Sequence, residues 1–233
     1  MRSLALSATL LATLPAATPL AAQVATVDEG SFSITHNGAP AGREEFSIRR
    51  TPGGEGGAVY VASATVAYDG RRLSPALRAD ASGYPLAYQV EVKVGSEVQE
   101  RLTGQVGRGR FSALTKTPRG ESAKEYVVSD GALILDDDVF HQYFFVAQNA
   151  RAGGATIPVV VPRRNAQLAM RVDERGNETV TVGGRALTAR HLVLREGAAG
   201  GAERDVWVDA QGRVLKVSIP SRGIVALRDE PPR

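Results

Sequence analysis

From Leu86 to Val94 apolar and polar side chains alternate. Leu86, Tyr88, Val90, Val92 and Val94 fall on one face, and Gln89, Glu91 and Lys93 on the other. A period of two is that of a half-buried antiparallel strand. The same pattern predicts strands near 31–36, 43–50, 58–68, 72–79, 97–106, 110–117, 124–129 and 132–135. Further strands are predicted near 166–173, 178–183, 186–195, 204–209, 213–219 and 223–228. Asn37-Gly38, Asp69-Gly70, Asp130-Gly131 and Gly183-Gly184 between them supply the positive φ of type I′ turns, and Gly95-Ser96 suits type II′. Val172–Gly176 and Val208–Gly212 share a second pattern, Asp at the strand exit and Gly where the chain should reverse.

Hairpins joined in series make a meander, whereas Greek-key sandwiches need long returning connections. Only Thr51–Gly57, the region up to Thr156 and Glu196–Gly201 offer such length. So many strands should curl to hide their edges. The predicted fold is therefore mainly all-β, a curved antiparallel meander forming a barrel or half-barrel, with one helix packed on or in it.

That helix is expected over Asp136–Ala150, which holds three of the six phenylalanines. Asp137 or Asp138 should cap it, and the acidic run suits its positive N-terminal end. At 100° per residue, Val139, Phe140, Tyr143, Phe144, Val146, Ala147 and Ala150 form one broad apolar face. His141, Gln142, Phe145, Gln148 and Asn149 form the other, so Phe145 lies opposite the main stripe. The helix is either the plug of the core or the lid of a pocket. Trp207 is similarly displaced: Val206 and Val208 should share a face with Leu215, Val217 and Ile219, leaving Trp207 with Asp205, Asp209, Lys216 and Ser218. It is either covered by the Lys216 stem or a loop, or it is the wall of a pocket lidded by the helix.

The N-terminus alters the setting. Arg2, the apolar Leu4–Leu14 and the small-residue site Pro19-Leu20-Ala21-Ala22 predict an export signal over 1–22, cleaved after Ala22. Residues 23–233 then form a single β-rich domain, exported to the periplasm or the extracellular medium. No Cys is present, which removes thiol catalysis and Cys-based metal sites. The net charge of +3 comes from scattered Arg among Asp and Glu without aromatic interleaving, so no nucleic-acid partner is predicted.

The sequence offers little catalytic chemistry. There is no HExxH, no GxSxG elbow, no phosphate loop and no calcium-loop spacing. No catalytic residue, metal site or cofactor is expected, and the chain is not predicted to be an enzyme. A cofactor-independent enzyme using His141 or His191 with a nearby Asp is the third-ranked class.

Phe32-Ser33-Ile34-Thr35-His36-Asn37-Gly38-Ala39-Pro40-Ala41-Gly42-Arg43-Glu44-Glu45-Phe46 resembles the opening hairpin of uncharacterised exported bacterial proteins. Val206–Val217 resembles their closing hairpin, and Thr188–Leu192 the strand before it. In outline those proteins are similar to the periplasmic lipoprotein-localisation carriers. That resemblance implies a curved sheet wrapping helical structure around an apolar cavity for acyl chains. The leading expectation is thus a non-catalytic exported protein that binds a lipid, another hydrophobic ligand or an envelope component, with His141, Phe145 and Trp207 at the site. The alternative is a structural or protein-interaction module of the cell envelope with a filled core and an envelope protein partner. The oligomeric state is not legible in the sequence.

Overall fold

Asn37-Gly38, Asp69-Gly70 and Gly183-Gly184 all adopt positive φ, as predicted, and each reverses the chain between paired strands. The same geometry recurs at Arg108-Gly109, where Arg stands in place of the usual Asn or Asp. The computed structural model describes residues 24–53, 57–150, 154–197 and 201–233. The expected export signal over 1–22 lies outside the described residues.

The first eight strands are β1 (Ala25–His36), β2 (Ala39–Pro52), β3 (Ala58–Tyr68), β4 (Arg71–Ala79), β5 (Pro85–Val94), β6 (Glu97–Gly107), β7 (Arg110–Thr117) and β8 (Gly120–Val127). After the short β9 (Leu133–Ile134) and α1 (Tyr143–Asn149) come β10 (Ala155–Val161), β11 (Ala166–Val182), β12 (Arg185–Glu196), β13 (Glu203–Val208), β14 (Val214–Ile219) and β15 (Ile224–Arg228). All belong to one curved sheet, ordered β8-β7-β6-β5-β4-β3-β2-β1-β15-β14-β13-β12-β11-β10-β9. The predicted meander is present in both halves of the chain, and β1 pairs with β15 to weld them.

Several expectations are corrected. Asp130-Gly131 does form a turn, but it joins no hairpin, because β8 and β9 are opposite edges of the sheet. Val172–Gly176 does not reverse the chain: β11 runs through it for 17 residues. Gly176 instead uses its positive φ in a bulge opposite β12, between Glu174 and Gly176. Val208–Gly212 does turn, because Asp209 accepts from the backbone N–H groups of Gln211 and Arg213. Thr51–Gly57 and Glu196–Gly201, long enough for crossovers, join neighbouring strands as the predicted meander requires. Thr156 belongs to β10, a strand the alternation did not reveal because Val159, Val160 and Val161 are all buried.

That continuous burial is informative. Val159 and Val161 face the main core, while Val160 has the opposite parity and is still only 3% exposed. Both faces of β10 are therefore covered, and Val159, Val160 and Val161 all belong to the main core. The two free edges of the sheet overlap rather than pair. Side chains join them: Tyr126 donates its hydroxyl to Asn165 Oδ1 at 2.7 Å, and Gln167 Nε2 donates to the Val127 carbonyl at 2.7 Å.

Candidate functional site

Helix α1 covers only seven residues, and the Asp136–Asp138 run does not cap it; Gln142 is its N-cap residue, without a side-chain bond. The carboxylates have other partners. Asp136 is buried and accepts from Tyr88 Oη at 2.6 Å and Arg163 Nε at 2.8 Å. Asp138, also buried, holds a left-handed backbone (φ 64°) and accepts from Arg222 at 2.6 Å and Arg71 at 3.4 Å. Arg163 and Arg222 sit in matching Pro-initiated 3-10 turns, Pro162–Arg164 and Pro220–Arg222. The acidic run thus pins the segment before α1 to three separate parts of the sheet. These buried side chains are bonded to arginines on different elements instead of to the N–H groups of a first helical turn.

Glu44 holds the segment ahead of the helix from a distance. Its carboxylate, fully buried in β2, accepts from the N–H groups of Phe140 (2.6 Å) and His141 (3.1 Å), and lies 2.5 Å from His141 Nδ1. These donors precede a short helix and would otherwise be unsatisfied in the core. His141 stacks on Phe46, and Phe46 on Phe32. The signal for Glu44 was present in the sequence: it shares a strand face with Phe46 and Ile48, so it is a carboxylate on an apolar face.

Phe145 is fully buried and meets Tyr60 and Phe144 edge-on, with centroids at 5.9 and 5.3 Å. It lies beneath the turn at Gly83, where an added Cβ would come within 3.3 Å of its ring. Both faces of α1 are covered by protein, so the helix is a plug. His141 and Phe145 belong to this core, whereas Trp207 belongs to a second, smaller cluster with Val180, Val182, Ala189 and Leu215. Leu215 departs from its expected face because it is the extra residue of a bulge, with Trp207 opposite Lys216 and Val208 opposite Val214.

On that outer face Trp207 stacks on His191 (4.4 Å), lies under Lys216 Nζ (4.3 Å) and donates to Glu178 at 2.8 Å. The ring nitrogens of His191 reach Glu178 and Asp205, each at 2.8 Å. Hydrogen bonds from Trp207 and His191 hold the Glu178 carboxyl below its ordinary range. The cluster is saturated by its own members, and it leaves Trp207 only 9% exposed.

Two cavities lie where the sheet edges overlap. A cavity of about 350 Å³ is walled by Tyr84, Pro85, Val106, Phe111, Leu133 and Ile134, with Ser129, Asp130 and Gly131 at its rim. A second, of about 300 Å³, lies on the other side of the Val128–Ala132 strap against Pro158, Val160, Gln167 and Leu168. Neither is lined by His141, Phe145 or Trp207. Sequence reasoning missed these walls because they come from β5–β7 and β9–β10, which meet only through the roll of the sheet. Among the described residues no group of three His, Asp or Glu is placed to hold a metal ion.

No family model matches this sequence, and no curated protein matches it. Among solved structures, the fold is similar to a beta-barrel-like protein of domain of unknown function DUF1849 from Brucella abortus. That likeness covers 87% of this chain and 95% of the other at 10% identity, with a TM-score of 0.54. A DUF1089 family protein from Pseudomonas aeruginosa aligns over 92% of this chain and 97% of its own at 15% identity, with a TM-score of 0.39. The fold is accordingly that of a β-barrel-like protein.

Proposed function

We propose that this is a non-catalytic exported protein that holds a hydrophobic ligand or envelope component between the overlapping edges of its rolled sheet. The observation that carries the reading is the cavity of about 350 Å³ behind the Val128–Ala132 strap, with Phe111, Leu133 and Ile134 as its walls. Ligand sites typically occupy roughly 300–1,000 Å³, with apolar walls and a few polar groups at the mouth. Tyr84 and Ser129 supply such groups. On this reading the site lies away from the helix, whose surroundings are filled, and the ligand is of the acyl-chain class that the carrier resemblance implies.

The test is native mass spectrometry of protein purified without detergent, followed by titration with a fluorescent fatty acid. A bound lipid mass or saturable binding is expected, and Leu133→Trp, which fills the cavity, should remove it. No bound lipid and no saturable binding would end this reading. Cell fractionation with N-terminal sequencing tests export, which predicts a mature chain starting at Gln23.

A protein-interaction module of the envelope is the second reading. It is favoured by the filled concave face, in which Phe140, Phe144 and Phe145 are all buried.

A further inference from the structure

The outward face of β3–β8 carries a groove of about 830 Å³, distinct from the overlap cavities. Two adjacent cross-strand rows line it. One runs Val61, Arg78, Ala87, Gln105, Ser112, Glu125, each residue directly opposite the next. The other runs Ala76, Gln89, Thr103, Leu114, Ala123. With strands about 4.8 Å apart, the five intervals from β3 to β8 span about 24 Å. An extended segment of about seven residues has the same length at about 3.3 Å per residue.

The chemistry of the lining narrows the occupant. Gln89 and Gln105 offer both donors and acceptors, as does the hydroxyl of Thr103. An alkyl chain laid over them would leave these groups desolvated and unpaired, which is unfavourable. A peptide main chain can pair with them. The small Ala76, Ala87 and Ala123 leave room for its side chains.

The two ends differ in charge. Glu125 is already engaged by Arg110 at 2.6 Å and Ser112 at 3.2 Å. Arg49 and Arg78 flank Val61 at the other end, and among the described residues neither has a carboxylate partner. Two exposed guanidinium groups with forked donors are suited to a carboxylate.

We propose that this groove is a docking site for an extended peptide segment of about seven residues in a partner protein, oriented with a carboxylate over Arg49 and Arg78. Selection of a displayed random heptapeptide library on the protein tests this. An enriched motif with Asp, Glu or a free C-terminus at one end is expected. In fluorescence anisotropy the synthetic motif should bind about tenfold more weakly to Arg78→Glu, a loss of about 1.4 kcal/mol.

Ala87→Trp and, independently, Thr103→Tyr should abolish binding without changing the thermal melt. Should one of them fail to fold, the other decides. No enrichment, or binding undiminished by the folded groove-filling variant, overturns the proposal. So does sedimentation with phosphatidylglycerol vesicles in the absence of peptide binding, which would make the groove a lipid surface. Leu133→Trp should leave peptide binding intact, since it fills the overlap cavity.

Discussion

Glu44 and His141 are 97 residues apart in the chain, yet the Glu44 carboxylate lies 2.5 Å from His141 Nδ1 and also accepts two backbone N–H groups of the plug. One side chain on a strand thus satisfies the donors just ahead of the only α-helix among the described residues. Removing it leaves buried donors on Phe140 and His141 without partners. Glu44→Ala should cost at least about 1–3 kcal/mol, the range for leaving one buried donor unsatisfied. The urea midpoint measures this, and a loss below about 1 kcal/mol would show that the plug is held by its apolar face alone.

Asp136 makes a prediction about pH. Burial raises its carboxyl above the ordinary value of 3.8, against the opposing pull of Arg163 and the Tyr88 hydrogen bond. A carboxyl whose folded value is raised binds its proton more tightly in the folded state, so stability rises as pH falls through the window just above 3.8. Asp136→Asn lacks this contribution. The stability of the wild type minus that of Asp136→Asn should therefore grow on acidification through that window. Urea titrations at several pH values measure it, and a difference that shrinks would contradict the assignment.

The ligand reading moves the site from Trp207, where the sequence put it, to Phe111 in the overlap cavity. Trp207→Phe should leave fatty-acid affinity within about twofold, because Trp207 lies in the outer cluster. Phe111→Ala, which removes a cavity wall, should weaken it at least about tenfold. The same titration should leave the emission of Trp207, the sole tryptophan, unchanged. A large emission change on ligand binding would return the site to the outer face.

Gly104 tests how the sheet is allowed to curl. A Cβ there would come within 2.2 Å of the Phe111 ring, which occupies the space a side chain would need. Gly104→Ala should destabilise the protein by about 1–3 kcal/mol, as overpacked cores do. Phe111→Leu in the same chain should recover part of that loss, which a double-mutant cycle of thermal or urea unfolding would show.

The alternation of Leu86–Val94 and the Asn-Gly, Asp-Gly and Gly-Gly pairs were sufficient for the meander, because strand periodicity and positive-φ turns are local properties of neighbouring residues. The Asp136–Ala150 pattern was sufficient for a helix in that region, of which only Tyr143–Asn149 is helical, and Phe145 opposite the main stripe left plug and lid both open. Only the tertiary structure decided the rest. It assigned Asp136 and Asp138 to Arg163, Arg222 and Arg71 rather than to a helix cap, and it turned Val172–Gly176 into a bulge. It also placed Trp207 away from Phe145, and brought Phe111 to Leu133 across the overlap of the two edges. Each of these depends on which strands become neighbours when the sheet rolls, and local propensity contains no term for partners tens of residues away.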